Sequence, residues 1–351
     1  MESEGRTRRV PRKEDGFSDL RFDPASKKLL SLASGGPLAL LVHARPDGDC
    51  VGSAVALAHL LGLLGCPSAI VSSDPLPARL SFLIPEGGGV VFSDGQTDGL
   101  FGPGCRAVAL DVAAPSQLGS LEGRYDILFS IDHHSGSTRF SDRYVDPAAS
   151  ATGEIIWRIA RNWMRTEAVS SIPHGTAFAC YAAISSDTGC FRYSNVTPAT
   201  HRIAAQLVEL VPEHSEIDRR LFEIKTPGRI AAEKLAMEIL KTCFDGEVSV
   251  CAVSAEQISE AGLPYDELDA LVDVARAVDG VKIALSVREE KPGSFRVSAR
   301  SNSDADVSAL CARFGGGGHV KAAGCSVFAD SLGEAVSSVT AAAGELLGFP
   351  V

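Results

Sequence analysis

Apolar and polar positions in the first half of the chain follow a pattern of short strands that alternate with helices. Continuous apolar runs, typical of strands buried on both faces, lie at residues 38–43, 68–72, 89–93, 106–111 and 126–131. Longer, mostly apolar segments predict helices at residues 52–64, 150–162 and 175–186. Strands that alternate with helices predict an α/β fold with a mostly parallel sheet flanked by helices.

The pattern changes after about residue 196. Helical segments are predicted at 198–211 and 214–241, with interruptions at Pro212 and at Pro227 and Gly228. Beyond them we expect strands at 247–253, 281–288 and 294–300 and helices at 306–314 and 331–347. We therefore predict a solvated N-terminal tail at 1–35, a first domain at 36–196, a helical connector at 197–241 and a smaller α+β domain at 242–351. A cleft between two domains is a natural place for a ligand site.

Composition limits the classes of protein that fit. The chain has 351 residues, 45% of them hydrophobic, which is typical of a globular protein large enough for two domains. Its 33 basic and 44 acidic side chains give a net charge of −11, which argues against binding of long duplex nucleic acid. The longest near-apolar run, 54–64, contains His59 and is too short to span a membrane.

The cysteines and the N-terminus indicate the compartment. Nine cysteines, an odd number, show no C-x-x-C spacing, so we expect reduced thiols and a cytoplasmic protein. The first residues, MESEGRTRRVPRK, contain no apolar segment of the kind that a signal peptide requires.

Aspartate and histidine side chains follow four of these apolar segments. They are His43, Asp47, Asp49, Asp111, Asp132, His133, His134 and Asp187. The carboxyl ends of parallel strands meet at one edge of a sheet, where buried carboxylates repel one another unless cations neutralise them. Taken alone, the first segment could also be a polar turn in which Asp49 caps a helix. The repeated pattern instead favours a pair of divalent cations, an arrangement suited to hydrolysis of phosphate esters.

Five motifs in this order resemble the DHH phosphoesterase superfamily. They are HARPDGDCVGS, the strand end at Asp111, SIDHH, ISSDTGCFRYSNVTP and FGGGGHVKAAG. The resemblance covers about residues 35–345 and is to the stand-alone branch that carries a C-terminal DHHA1 domain, the nanoRNA hydrolase and phosphoadenosine-phosphate phosphatase group. It implies a DHH catalytic domain at 36–196 and a DHHA1 substrate-binding domain at 242–351, with the active site in the cleft between them.

The resemblance also implies roles for individual residues. One metal would be held by His43, Asp47 and Asp111, and the other by Asp49, Asp111, His133 and Asp187, so that Asp111 bridges the two. Asp132 would orient the neighbouring histidine, and His134 would bind the phosphate or protonate the leaving oxygen. The family commonly uses Mn²⁺, which we expect here at two ions per chain, with Mg²⁺ or Co²⁺ as substitutes.

Substrate contacts are implied in the second domain and after Asp187. They are Arg192, Arg300, Ser301, Gly316, Gly317, Gly318 and His319. A run of glycines lets backbone N–H groups approach an anion, although such a run alone is also typical of a flexible loop, and Arg192 could be a surface arginine. Three positions depart from the family pattern: Cys50 stands for a common alanine, Gln117 for a frequent arginine and Ser137 for a frequent asparagine.

The function implied is a metal-dependent phosphohydrolase that cleaves RNA of two to five residues to mononucleotides and removes the 3′-phosphate of phosphoadenosine phosphate (pAp). A cyclic or linear di-adenylate phosphodiesterase is the main alternative. An inorganic pyrophosphatase lacks the GGGGH loop, and single-strand DNA exonucleases are longer chains. A catalytically inactive nucleotide-binding protein would not need a complete ligand set. The expected partner is a short single-stranded RNA or nucleotide, with no membrane, and a homodimer is left open.

Overall fold

The computed structural model describes residues 23–84, 92–93, 101–134 and 140–350. The chain divides into two compact units between Ile224 and Lys225. Within the described ranges, no helix combines the length and the apolar character needed to cross a membrane.

The first unit contains a six-stranded sheet in which every neighbouring pair of strands is parallel. Its strands are β1 (Leu38–Leu41), β2 (Ser68–Val71), β3 (Phe92–Ser93), β4 (Arg106–Leu110), β5 (Asp126–Asp132) and β6 (Arg143–Val145). The order across the sheet is β3-β2-β1-β4-β5-β6, so β1 and β4 lie at its centre. The predicted parallel α/β fold is confirmed. Of the predicted strand at 89–93, residues 89–91 lie outside the described residues.

Helices surround this sheet. They are α1 (Asp23–Ser34), α2 (Gly48–Leu63), α3 (Thr152–Arg165), α4 (His174–Asp187), α5 (Pro198–Leu210) and α6 (His214–Asp218), the last of which runs into a π turn at Arg219–Glu223. The main core lies between α2, α3, α4 and one face of the sheet, and a second cluster covers the other face. The strands β1, β2 and β4 are almost fully buried, as their mostly apolar sequences predict.

Two glycines allow α2, α3 and α4 to approach one another closely. A Cβ atom on Gly52 of α2 would lie 2.6 Å from the carbonyl oxygen of Ala179, and one on Gly153 of α3 would lie 2.4 Å from the Cβ of Ala183. Because any side chain at these positions would push the helices apart, the glycines bring the start of α2 and the start of α3 together at the end of α4.

The predicted solvated tail at 1–35 is wrong for the part of it that the structure describes. Residues 23–34 form α1, in which Ala25 and Leu29 are buried in the main core and pack beside α3. The apolar positions of DPASKKLLSLAS recur at helical spacing, and this amphipathic signal was missed because the charged residues before it dominate the segment. Residues 1–22 lie outside the described residues.

The second unit has a mixed six-stranded sheet covered by helices. Its elements are α7 (Pro227–Ile239), β7 (Lys241–Cys243), β8 (Val248–Val253), α8 (Ala255–Glu260), α9 (Ala270–Arg276), β9 (Ile283–Lys291), β10 (Ser294–Ser301), α10 (Val307–Ala312), β11 (Gly317–His319), β12 (Ala322–Phe328) and α11 (Leu332–Leu346). The strand order is β11-β12-β10-β9-β8-β7, and β8 and β9 form the parallel pair among otherwise antiparallel neighbours.

The helices of the predicted connector, 197–241, are divided between the two units. Helix α5 packs on α4 in the first unit, whereas α7 packs on α9 in the second. The boundary between the two units falls inside the predicted connector, and the predicted bounds of the two domains stay a prediction. All nine cysteines are free thiols, as their spacing predicts, and six of them are buried.

Candidate metal centre

Four segments bring the predicted aspartates and histidines to one edge of the parallel sheet. His43 lies two residues after β1, Asp111 directly follows β4, and Asp132 ends β5 immediately before His133 and His134. Asp47 and Asp49 stand at the start of α2, while Asp187 is the last residue of α4. This is the carboxyl edge of the strands, where α/β proteins bind their ligands.

One cluster is built around His43. Its Nε2 atom lies 3.6 Å from Oδ2 of Asp47 and 3.8 Å from Oδ2 of Asp111. Its Nδ1 atom lies 2.9 Å from the carbonyl oxygen of Ala44, which accepts a hydrogen bond from that nitrogen and leaves Nε2 to face the carboxylates. Asp47 meanwhile caps α2, since its Oδ1 accepts hydrogen bonds from the backbone N–H groups of Asp49 and Cys50.

A second cluster is built around His133. Its Nε2 atom lies 3.7 Å from Oδ2 of Asp49, 3.7 Å from Oδ1 of Asp111 and 3.6 Å from Oδ2 of Asp187. Nε2 is buried and makes no hydrogen bond within the described part of the chain. A buried imidazole nitrogen that faces three carboxylates without a hydrogen bond fits a divalent cation, which would provide the missing partner.

Asp111 joins the two clusters. One of its oxygens faces His133 and the other faces His43, and the residue is only 3% exposed. Its backbone is left-handed, with φ of 59°, a conformation that costs most residues with a side chain about 1–2 kcal/mol and that aspartate adopts more readily than they do. The chain thus accepts local strain at the point where the two clusters meet.

The carboxylates of the centre crowd one another. Burial, together with repulsion from Asp187 and Asp47, raises the pKa of Asp49 to about 7, and burial and Asp47 raise the pKa of Asp187 to about 6. Burial and the neighbouring carboxylates raise the pKa of Asp111 well above its usual range. Burial would also raise the pKa of Asp47, but the adjacent imidazole of His43 lowers it to about 2. The charge pattern therefore calls for a counter-cation near neutral pH.

The metal-free protein should become less stable as the pH rises from 5 to 8. Asp49 and Asp187 have folded-state pKa values of about 7 and about 6, above the ordinary 3.8, so the stability that their protonated forms give is lost through this range. The expected loss is about 4 kcal/mol, since each pKa unit titrated corresponds to about 1.4 kcal/mol, and Mn²⁺ should restore more stability at pH 8 than at pH 5 because it binds the ionised carboxylates. Thermal unfolding in EDTA and in Mn²⁺ at both pH values measures this. An equal Mn²⁺-induced shift at the two pH values would contradict it.

His134 and Asp132 form a hydrogen-bonded pair beside the centre. Nδ1 of His134 lies 2.8 Å from Oδ1 of Asp132, which also accepts the backbone N–H groups of His133 and His134. This hydrogen bond raises the pKa of His134. Burial would raise the pKa of Asp132, but the imidazole of His134 lowers it. An imidazole that a carboxylate orients in this way can deliver a proton from Nε2 near neutral pH.

Three residues that touch the centre were missed by sequence reasoning. Thr152 and Gly153 donate hydrogen bonds to Asp49, and the amide of Asn195 donates one to Oδ2 of Asp187 at 3.2 Å. Only the SNVTP stretch of the fourth motif pointed to Asn195, and nothing in the sequence singled out the first turn of α3. Cys50, a departure from the family pattern, lies beside His43 and Asp47, close enough for its sulfur to join their potential ligand set.

The other predicted contacts are placed as follows. Nε of Arg192 donates to the carbonyl oxygen of Gly189, and the guanidinium lies over the ring of Phe222. Arg300 and Ser301 end β10, where the Ser301 hydroxyl donates to the carbonyl of Ser303 at 2.8 Å. Because this hydroxyl already donates to Ser303, a hydrogen bond from it to a phosphate oxygen requires that the Ser303 bond open. His319 ends β11.

The glycine run has a packing reason at two of its positions. A Cβ on Gly316 would lie 2.4 Å from the Cβ of Cys325, and one on Gly318, where φ is +147°, would lie 2.6 Å from the carbonyl oxygen of Ala322. A Cβ on Gly317 would meet nothing. The close pairing of β11 with β12 therefore requires Gly316 and Gly318, and Gly317 leaves its backbone open to an approaching ligand.

Two other positions depart from the family pattern. The side chain of Gln117 accepts hydrogen bonds from backbone N–H groups of its own turn, and Ser137 lies outside the described residues.

Comparisons with protein-family models match both halves of the chain. Residues 38–184 match the model described as the DHH family, N-terminal domain, and residues 246–345 match the DHHA1 domain.

Two relatives and one solved structure are similar to this protein over most of the chain. The bifunctional oligoribonuclease and PAP phosphatase NrnA of Thermus thermophilus is 31% identical over 315 residues, 89% of this chain and 90% of that protein. The Bacillus subtilis protein of the same name is 26% identical over 82% of this chain and 88% of its own length. The crystal structure of an exopolyphosphatase-related protein from Bacteroides fragilis shares the fold, with a TM-score of 0.78 and 20% identity, covering 93% of this chain and 96% of that one.

Proposed function

Since the chain belongs to the DHH family and carries a DHHA1 domain, we propose that it is a metal-dependent phosphohydrolase that cleaves short RNA to mononucleotides and removes the 3′-phosphate of pAp. The observation that carries the proposal is the placement of Asp111, whose two oxygens face two separate histidine clusters. The relatives named oligoribonuclease and PAP phosphatase support the choice of substrates.

The proposed ligand sets share Asp111. His43, Asp47 and Asp111 would hold one cation, and Asp49, Asp111, His133 and Asp187 would hold the other. Imidazole and carboxylate together suit several divalent ions, including Mn²⁺. Among these we expect Mn²⁺, the ion that the family commonly uses, at two ions per chain. When bound, the cations would supply positive charge to the phosphoryl oxygens and favour ionisation of a water molecule near neutral pH.

The protein's own groups would handle the leaving oxygen. The hydrogen bond from Nδ1 of His134 to Asp132 fixes the ring, so that Nε2 carries the proton that the departing oxygen needs. Asp132 is fully buried and accepts three hydrogen bonds at one oxygen, which keeps it ionised and able to stabilise a protonated imidazole.

The second unit would bind the rest of the nucleotide. Arg300 and His319 lie at the ends of paired strands, since Arg300 is opposite Ala322 on β12, and Ala322 is in turn opposite His319 on β11. In this proposal Arg300, Ser301, His319 and the backbone of the glycine run contact a phosphate or base, and Arg192 of the first unit contacts a phosphate.

A panel of substrates tests the proposed function. The purified protein is assayed with Mn²⁺ and with EDTA against pAp, a five-residue RNA, linear pApA, cyclic di-adenylate and pyrophosphate. The proposal expects Mn²⁺-dependent turnover of pAp and RNA, with release of mononucleotides. Turnover of cyclic di-adenylate alone would transfer the assignment to a cyclic-dinucleotide phosphodiesterase, and turnover of pyrophosphate alone would assign a pyrophosphatase.

Arg300→Ala should reduce kcat/KM for pAp by roughly 10- to 150-fold, because a charge-assisted hydrogen bond to phosphate contributes about 1.5–3 kcal/mol. The loss should be small for bis-p-nitrophenyl phosphate, which has no nucleotide for the second unit to hold, and the Mn²⁺ stoichiometry should not change. Arg313→Ala is the matched control, since Arg313 is an exposed arginine of the same unit that pairs with Glu345. Equal losses on both substrates, or loss of a metal, would contradict the proposed role of Arg300.

A further inference from the structure

Thr152, the first residue of α3, contacts two carboxylates of the centre. Its backbone N–H donates to Oδ2 of Asp49 at 2.7 Å, and its hydroxyl donates to Oδ1 of Asp111 at 2.9 Å. Gly153 adds a hydrogen bond from its N–H to the other oxygen of Asp49 at 2.9 Å. Thr152 is completely buried. These two carboxylates come from other elements, so this turn connects β4, α2 and α3 at the centre.

The turn that carries Thr152 is held in place by a buried carboxylate. Oε2 of Glu154 accepts the backbone N–H of Ser150 at 3.2 Å, the hydroxyl of Ser150 at 2.8 Å and the hydroxyl of Thr200 at 3.1 Å. Oε1 of Glu154 pairs with the guanidinium of Arg158 one turn later. Because Glu154 is fully buried and paired at both oxygens, the backbone at Thr152 has little freedom to move.

The Thr152 hydroxyl fixes the rotation of the Asp111 carboxylate. Oδ1, the oxygen that accepts the hydrogen bond from Thr152, lies 3.7 Å from Nε2 of His133, while Oδ2 lies 3.8 Å from Nε2 of His43. A carboxylate turned about its Cβ–Cγ bond would lose the hydrogen bond and would no longer present one oxygen to each histidine. Hydrogen-bond partners of this kind set the orientation of ligands at metal sites.

We propose that Thr152 is a positioning residue for the centre, whose hydroxyl holds Asp111 in the orientation that lets its two oxygens serve two cations. The inference rests on the proposed function, because it assigns Asp111 as a shared ligand. It adds a residue that is not itself a proposed ligand, and whose hydroxyl acts through Asp111.

Thr152→Val tests the hydroxyl, because valine has the same shape and keeps the backbone hydrogen bond to Asp49. We expect Mn²⁺ affinity, measured by calorimetric titration, to weaken by about 10- to 100-fold, and kcat for pAp to fall by at least about tenfold with little change in KM. Thr152→Ser, which keeps the hydroxyl, should recover most of both. Thr152→Ala also removes the hydroxyl and is measured in the same way, so that the test still holds if the valine variant fails to fold.

Thr176→Val is the matched control. Thr176 is also a fully buried threonine in the first turn of a helix, α4, but its hydroxyl makes no hydrogen bond within the described residues. The Thr176→Val variant should bind Mn²⁺ with the affinity of the wild type. The inference would be overturned if the wild type bound two Mn²⁺ ions and a folded Thr152→Val or Thr152→Ala variant bound them equally tightly. The proposed function would then still stand. Wild-type protein that binds no Mn²⁺ would overturn both.

Discussion

Asp111→Asn is expected to abolish hydrolysis of pAp and RNA, with a loss of at least about 10³-fold in kcat and fewer than two Mn²⁺ ions per chain. Asp111 is the proposed shared ligand, and one carboxylate there neutralises two cations, a contribution of several kcal/mol to the transition state. An amide has no negative charge, and its nitrogen cannot serve as the second ligand atom. Steady-state kinetics and a calorimetric Mn²⁺ titration measure the two effects.

The fold should survive this substitution. Asparagine tolerates the left-handed backbone that Asp111 adopts, and loss of the charge relieves repulsion with Asp49, so the metal-free variant should be at least as stable as the metal-free wild type. Asp126→Asn, at the opposite end of β5 and exposed, is the matched control and should keep full activity. Retention of more than a tenth of wild-type activity by Asp111→Asn would refute the shared-ligand assignment.

His134→Gln should lower kcat for pAp and RNA by about 10²- to 10⁴-fold and leave the binding of two Mn²⁺ ions intact, because general-acid catalysis contributes in this range. The loss should be much smaller for bis-p-nitrophenyl phosphate, whose leaving group needs no proton. Comparison of kcat for the two substrates therefore separates proton donation from metal binding. His174→Gln, a surface histidine of the first unit that pairs with Glu213, is the control.

Asp132→Asn should shift the alkaline limb of the kcat profile to lower pH. The hydrogen bond to Asp132 raises the pKa of His134, so without that carboxylate the imidazole loses its proton at a lower pH, and activity that needs the protonated form is lost earlier. An unchanged alkaline limb in Asp132→Asn, or a His134→Gln variant equally slow on both substrates, would argue against His134 as the proton donor.

The sequence alone determined the architecture of the first unit. The central strands β1 and β4 are apolar at nearly every position, as expected for strands buried on both faces, and the runs of β1, β4 and β5 each end at a histidine or an aspartate. These apolar runs and the residues at their ends were enough to predict a parallel sheet with a cluster of carboxylates at one edge. Helix α1 was not predicted, because its amphipathic pattern is short and follows a charged segment.

The tertiary structure decided what no local pattern encodes. Which oxygen of Asp111 faces His43 and which faces His133 depends on strands and helices far apart in the chain, as does the hydrogen bond from Thr152, 41 residues away. In the sequence, Thr152 indicates only the start of a helix. Its role appears only when Gly52 and Gly153 let α2, α3 and α4 pack closely.

The same division holds for the glycine run. Its sequence predicts a loop open to an anion, but the pairing of β11 with β12 shows that Gly316 and Gly318 are required by contacts within the sheet itself. Periodicity and strand endpoints are properties of neighbouring residues, so the sequence determines them. The rotation of a carboxylate and the space beside a glycine depend on atoms that only folding brings together, and for that reason the tertiary structure alone decides them.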